Sequence, residues 1–183
     1  MAINKKSAPL WTKIVIVFVA VTFVASIALV GFSGFGTTSN PGSPTTGGDP
    51  ITLQYQPQVE AALAASKADP TSAPLLANVG HVYYEWAVAE YESGAIDASR
   101  PHWLAAVAYY DQAIAINPTD NVAIGNKSFA LAYAGSPDAE AALKAFIATE
   151  DPTLAPQIAN AQELLAQIQS SAATGSTATS STP

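Results

Sequence analysis

The residues of this 183-residue chain that are best suited to chemistry are a histidine and a glutamate, His81 and Glu85. Side chains at positions i and i+4 share one face of a helix, so this pair could bind a metal ion or exchange a proton. A metal site needs at least one further ligand with supporting geometry. Three more candidates lie nearby but complete no zinc or di-iron spacing: His102, Glu90 and Glu92. We therefore interpret His81 and Glu85 as a polar pair on an exposed helix face, and we expect no metal, no cofactor and no enzymatic activity.

The composition argues against several other kinds of chemistry. The chain has no cysteine, which removes disulfides, thiolate catalysis and cysteine-ligated zinc. It carries neither the glycine-rich pattern of a phosphate-binding loop nor the G-x-S-x-G pattern of a serine hydrolase. From Asp49 onward, 14 acidic residues stand against four basic ones. Such an acidic body argues against a nucleic-acid partner, because phosphate binding needs clustered lysine and arginine.

Aromatic residues are concentrated in one stretch of the chain: Tyr83, Tyr84, Trp86, Tyr91, Trp103, Tyr109 and Tyr110. Aromatic stripes at helical spacing usually pack inward, so we expect most of these rings to form a core between two long helices. The alternative is a wall that binds a small molecule or a cell-wall fragment.

The elements that position these residues are predicted to be helices. Apolar residues recur at helical spacing, several prolines stand near predicted helix starts, and glycine or proline follows several of the ends. The predicted helices cover residues 57–67, 73–92, 101–116, 121–134, 137–149 and 154–169. Only the short stretch Ile51–Tyr55 alternates like a strand. The predicted fold class is therefore all-α.

A separate apolar segment precedes this body. Residues 14–32 are 19 residues without a charge, and at ~1.5 Å per residue they cover roughly the ~30 Å hydrocarbon core of a membrane. Lys5, Lys6 and Lys13 all precede the segment, which predicts that residues 1–13 stay in the cytoplasm and the rest is exported. The alternative is a cleaved signal peptide, but the apolar run is long for one and no small-x-small cleavage site follows it. We expect a single-pass anchor in the plasma membrane and an extracytoplasmic body.

Two segments of small and polar residues flank the body. Residues 33–50 and 171–183 consist mostly of Gly, Ser, Thr, Pro and Ala. Such segments cannot bury enough apolar area to offset the entropy lost on ordering. We expect a flexible linker and a disordered tail, which leaves residues 51–170 as the folded domain.

A short motif recurs between the predicted helices. Pro-Thr preceded by Asp or Asn occurs at residues 69–71, 117–119 and 151–153, and Pro118 and Pro152 are 34 residues apart. A period of 34 with a closing proline is typical of stacked helical hairpins. The residues before Pro118 fit the pattern of such a unit at seven positions: Leu76, Val79, Gly80, Tyr83, Ala106, Tyr110 and Ala113. With these residues the chain resembles the tetratricopeptide repeat family, whose fold is a solenoid of helical hairpins.

The unit that ends at Pro118 also departs from the family pattern. Small Gly80 and Ala106 would let its two helices approach closely, and Tyr110 would fill the space around that contact. The unit is nevertheless 48 residues long, with 14 extra residues between Tyr83 and Trp103. In the following unit two registers compete for the second helix: Ala139-Leu143-Phe146 and Ala142-Phe146. The last predicted helix resembles the start of another unit and suits the role of a polar cap.

In this family the first helix of each hairpin lines an inner groove that binds partners. The resemblance therefore implies a groove lined by Ala77, His81, Tyr84, Glu85, Val122, Gly125, Phe129 and Tyr133. Aromatic and apolar groups with one acid would suit an extended peptide that carries apolar and basic side chains. We expect an interaction scaffold or assembly factor of the cell envelope with a protein or peptide partner. The sequence leaves the oligomeric state open.

Overall fold

The computed structural model describes residues 49–178, and the regular structure of these residues is entirely helical. The α-helices are α1 (Pro50–Ala68), α2 (Ala73–Glu92), α3 (Ile96–Ile116), α4 (Asn121–Tyr133), α5 (Ala139–Ile147) and α6 (Ala155–Ala178), with a 3-10 helix at Pro152–Leu154. The predicted all-α class is confirmed for this part of the chain. Residues 1–13, the expected span 14–32 and most of the expected linker 33–50 lie outside the described residues. None of the described helices has the length and apolar character needed to cross a membrane.

Helix α1 begins at Pro50 and replaces the short strand suggested by the alternation over residues 51–55. The carboxylate of Asp49 caps the helix by accepting a hydrogen bond from the backbone N–H of Thr52 at 3.1 Å. Pro50 occupies the first turn, where the missing N–H removes no helical hydrogen bond. The ring of Tyr55 then stacks on Trp86 of α2, so these early turns also have a tertiary contact. Local capping and packing override the strand-like alternation.

The 14 extra residues of the unit that ends at Pro118 lengthen two helices and add no long loop. Helix α2 has 20 residues, α3 has 21, and only residues 93–95 connect them. Helix α3 starts at Ile96, although the sequence predicts a start at Pro101. The proline lies inside the helix and gives up one backbone hydrogen bond, to Asp97. The helix continues through it because Ser99 and Trp103, on either side, are both buried.

The three Asp/Asn-Pro-Thr motifs form turns with the same side-chain hydrogen bonds. At residues 69–71, 117–119 and 151–153, the side-chain oxygen of the Asp or Asn accepts two hydrogen bonds from the threonine two positions later. The backbone N–H donates at 3.2, 3.3 and 2.9 Å, and the hydroxyl donates at 2.8, 2.9 and 2.7 Å. Asp and Asn commonly form this kind of turn. These turns separate α1 from α2, α3 from α4 and α5 from α6.

A second kind of turn lies within the first hairpin, which is formed by α2 and α3, and within the second hairpin, which is formed by α4 and α5. Gly94 and Gly135 have φ values of +88° and +66°, which favour glycine. In both turns the N–H after the glycine bonds to a carbonyl five residues earlier, Ala95 to Glu90 and Ser136 to Leu131, each at 2.9 Å. This pattern ends a helix and reverses the chain. The two kinds of turn therefore alternate along the described residues.

In each hairpin an aromatic ring on the second helix packs directly against a glycine on the first helix. A Cβ atom at Gly80 would come within 2.8 Å of the ring of Tyr110, and one at Gly125 would come within 2.8 Å of the ring of Phe146. The close approach predicted at Gly80 is confirmed. In the second hairpin the buried face consists of Ala139, Leu143 and Phe146. The first of the two competing registers is therefore the one that describes the core.

Consecutive helices pack against each other, and α4 also contacts α2 and α6. The 3-10 helix and α6 cover α5 with Leu154 and Ala161. Helix α6 runs to Ala178, so residues 171–178 are helical where the composition predicts a disordered tail. The serines at the junction lie within the helix, and the hydroxyls of Ser170 and Ser171 donate to carbonyls three residues earlier.

Candidate functional site

Three polar side chains from three helices meet at one point, which we call the His81 node. Nδ1 of His81 on α2 lies 2.9 Å from the hydroxyl of Tyr110 on α3. The same nitrogen lies 3.2 Å from the amide nitrogen of Asn126 on α4. The ring of His81 also meets the ring of Tyr110 edge-on, at 5.4 Å between centroids. The node joins the first hairpin to the second.

The hydrogen bonds of the node define the tautomer of His81. An amide nitrogen can donate hydrogen bonds but cannot accept them, so Nδ1 must be the acceptor. The proton of the neutral imidazole therefore lies on Nε2. Burial lowers the pKa of His81, and the negative charge of Asp120 opposes this shift in part. His81 is half-buried and has two hydrogen-bond partners at Nδ1, so the expectation of an exposed polar pair is wrong for this residue.

Glu85 lies one turn further along α2 and is half-buried. Burial raises the pKa of its carboxyl group. Among the described residues it forms no ion pair, whereas Asp111 pairs with Lys127 and Glu140 pairs with Lys144. A half-buried carboxylate without a cation favours a ligand that supplies one.

Two of the eight predicted groove residues lie too deep to touch a partner. Ala77 is packed with Leu76 and Ala113 in the core between α2 and α3. Gly125 is buried under the ring of Phe146. Both positions let helices approach closely, and that packing role explains their small size.

Three aromatic groove residues are half-buried and pack against core rings. Tyr84 meets Trp103 edge-on at 4.9 Å, and Tyr133 stacks on the opposite helix's Trp103 at 5.3 Å between centroids. Phe129 meets Phe146 edge-on at 6.1 Å. Substitution of these rings would disturb the core as well as any partner. The remaining predicted positions, His81, Glu85 and the 42% exposed Val122, form the accessible part of the predicted groove.

A second polar contact joins α2 to α3 within the first hairpin. Nδ1 of His102 lies 2.7 Å from Oε2 of Glu90, a residue that is only 5% exposed. The ring of His102 stacks on Trp86 at 4.0 Å between centroids. A buried carboxylate is costly unless it is paired, so this contact supports the packing of α2 on α3. Glu90 and His102, two of the candidate metal ligands in the sequence, therefore bind each other.

The concentration of aromatic residues is explained mainly by the core. Trp86, Trp103 and Tyr110 are buried, which confirms the prediction for these three rings, whereas Tyr91 remains 36% exposed. In the part of the chain that the structure describes, no group of three or more His, Asp or Glu side chains is arranged to hold a metal ion. The rings pack on each other, so the small-molecule alternative gains no support from their arrangement.

Sequence reasoning missed Tyr110 and Asn126 as partners of His81. Tyr110 stands 29 residues and Asn126 45 residues from His81, and no local pattern links them. The position of Tyr110 opposite Gly80 was the one available signal, because Gly80 immediately precedes His81 on α2.

No protein-family model, curated protein or solved structure matches this chain. Its function must therefore follow from its own residues.

Proposed function

We propose that this protein is a membrane-anchored interaction scaffold whose extracytoplasmic domain is a short array of tetratricopeptide-like hairpins. The observation that carries the proposal is the repetition of a complete unit. A glycine turn within the hairpin, a ring on a glycine and an Asp/Asn-Pro-Thr turn between hairpins all recur in the same order. Stacked hairpins of this kind usually present extended binding surfaces.

The binding surface in this proposal is the α2/α4 face, defined by His81, Glu85, Val122 and Asn126. Helices α2 and α4 lie side by side and are linked by the His81 node. Val122 offers exposed apolar area, and Glu85 offers a carboxylate without a cation among the described residues. We infer that the ligand is an extended peptide with a basic side chain opposite Glu85 and an apolar side chain against Val122.

The charge of the body supports a basic partner. Acidic residues outnumber basic residues by 14 to four from Asp49 onward. A surface of one sign attracts oppositely charged partners and accelerates their encounter. Residues 14–32 would hold the array at the membrane, so that partners are collected there.

Binding of peptides to the full-length chain tests the surface. The probes are extended peptides with one Lys or Arg flanked by Leu or Val, and fluorescence polarisation measures their affinity. Glu85→Gln should weaken binding about tenfold or more, since a charge-assisted hydrogen bond contributes roughly 1.5–3 kcal/mol. Glu163→Gln is the charge-matched control, because Glu163 is exposed on α6 and is not one of the residues that define the α2/α4 face.

Two outcomes would contradict the assignment. One is that no peptide of this class binds. The other is that Glu85→Gln and Glu163→Gln weaken binding equally, which would leave net charge as the only cause. The anchor is tested separately with a reporter fused after Pro183: activity of a cytoplasmic reporter alone would reject the exported arrangement.

A further inference from the structure

The His81 node contains a direct side-chain hydrogen bond between α2 and α4. The imidazole of His81 can take up a proton near neutral pH, whereas Tyr110 and Asn126 are neutral there. The node also lies at the α2/α4 face. Because Asn126 can only donate through its amide nitrogen, the contact depends on an unprotonated Nδ1. A proton added to Nδ1 would place one donor against another.

We propose that His81 is a proton-sensitive joint between the two hairpins: the neutral ring holds α4 against α2, and protonation at Nδ1 releases α4. The hydroxyl of Tyr110 can rotate and accept a hydrogen bond from a protonated Nδ1, so the contact within the first hairpin survives. The amide nitrogen of Asn126 has no lone pair to offer. The hydrogen bond between Asn126 and His81 is therefore the one that breaks, which removes this polar contact of α4 with α2 but not that of Asn126 with Tyr110.

The surroundings of the ring favour release over a buried charge. Tyr110 faces the ring from α3, Asn126 faces it from α4, and Glu85 lies one turn away on α2. Asp120, held at the start of α4 by its hydrogen bond from the N–H of Ala123, has the one charge that raises the pKa of the imidazole. Burial has the larger effect and lowers it.

Other charged groups do not compensate a proton on His81. Lys127 of α4 and Asp111 of α3 pair with each other at 2.5 Å. Helix α1, which also packs on α2, contributes no group that shifts the pKa of the ring. A charged imidazole is therefore better solvated when the joint is open.

The direction of the pH effect follows from proton linkage. The pKa of the ring in the closed joint is below the value of 6.5 that an exposed imidazole has. The open joint therefore binds the proton more tightly, and acidification favours it. The opening constant of the joint is lowest above pH 6.5. Below that pH it rises roughly tenfold per pH unit until the pH reaches the pKa of the closed form.

The test follows the full-length chain with isotope-labelled histidine, whose signals come from only two rings because the chain has only two histidines. Nuclear magnetic resonance measures the pKa of each ring, and hydrogen exchange of the α4 amides measures opening after correction for intrinsic exchange. We expect the protection of α4 to fall about tenfold per pH unit below 6.5, while the glycine turn at residues 93–95 keeps its protection.

Two variants separate the joint from general acid unfolding. His81→Asn keeps an acceptor oxygen near the position of Nδ1 but cannot titrate, so the protection of α4 should lose its pH dependence. Asn126→Asp supplies a carboxylate that accepts from a protonated ring, so the pKa of His81 should rise and acid should no longer release α4. His81 could instead titrate in the wild type without any change in α4 protection. The side-chain amide of Asn126 would then have rotated so that its oxygen accepts from the protonated ring, and the joint is rejected.

The effect of the joint on partners rests on the proposed function, whereas the joint itself does not. If α4 is released by acid but peptide affinity stays constant over the same pH range, the α2/α4 face is not the binding surface. If peptides bind at that face and α4 protection is independent of pH, the surface stands and the joint fails.

Discussion

Replacement of Gly80 by alanine is the sharpest test of how the first hairpin is closed. The added methyl carbon would lie 2.8 Å from Cε1 and 2.9 Å from Cδ1 of Tyr110. Carbon atoms do not approach so closely unless something moves. The ring of Tyr110 is 0% exposed, and its hydroxyl is bonded to His81, so it has little freedom to move aside.

Two effects of opposite sign determine the magnitude. Alanine is favoured over glycine inside a helix by roughly 1 kcal/mol. Added volume in a tightly packed core costs about 1–3 kcal/mol, and a fixed ring places this contact near the upper end. We therefore expect Gly80→Ala to lower the free energy of unfolding by about 1–2 kcal/mol. For a domain of this size that corresponds to a fall in Tm of roughly 3–8 °C.

Urea and thermal unfolding of the full-length chain, followed by circular dichroism, measures this change. Gly125→Ala should behave alike, because Phe146 occupies the same place in the second hairpin. Gly94→Ala is the control: no atom lies within 4 Å of its Cβ position, and its cost comes only from the φ of +88°.

A smaller side chain at position 110 distinguishes overlap from other causes. In the Tyr110→Leu background, Gly80→Ala should become neutral or stabilising, whereas Gly94→Ala should keep its cost. If Gly80→Ala stabilises the otherwise unchanged chain by about 1 kcal/mol, helix propensity alone governs the position and the ring-on-glycine contact is wrong.

Three further predictions concern buried groups and the surface. His102→Ala should lower the free energy of unfolding by roughly 2–3 kcal/mol, because it leaves the carboxylate of Glu90 buried without a partner, and adding Glu90→Gln should recover part of the loss in urea titrations. Trp103→Phe should lower the free energy of unfolding by about 1–2 kcal/mol, and Trp103→Ala should lower it by about 3–5 kcal/mol, as measured by calorimetry. The indole N–H has no acceptor among the described residues, so the volume of the ring provides the stabilisation. Asp111→Asn should change stability by less than about 1 kcal/mol, since its pair with Lys127 is open to solvent; a larger loss at physiological salt would contradict that.

Local signals predicted the middle of the fold well. The bounds of α2 follow from Pro74 near its start and the Ser93-Gly94 turn after its end, and the structure has the same residues. The start of α3 was misplaced because a proline commonly occupies the first turn of a helix, whereas Pro101 lies further inside. Tertiary burial of Ser99 and Trp103 decided that boundary, and a local pattern does not contain it.

The candidate site was less predictable than the fold. The spacing of His81 and Glu85 placed both on one helix, but the hydrogen-bond partners of His81 come from two other helices. Helical periodicity also cannot distinguish a groove wall from a core face. Ala77 and Gly125 matched the groove positions of the family pattern yet lie beneath neighbouring side chains. Only the stacking of helices fixes which of these positions reaches solvent.

The shared hydrogen-bond pattern of the three Asp/Asn-Pro-Thr turns makes them suitable as interchangeable junctions. Excision of residues 119–152 would join Pro118 directly to Thr153 and recreate an Asn-Pro-Thr sequence at the new boundary. Duplication of the same segment would recreate the junction in the same way. The chain could therefore gain or lose a whole hairpin without the design of a new connection, and the length of the array would change by one unit each time.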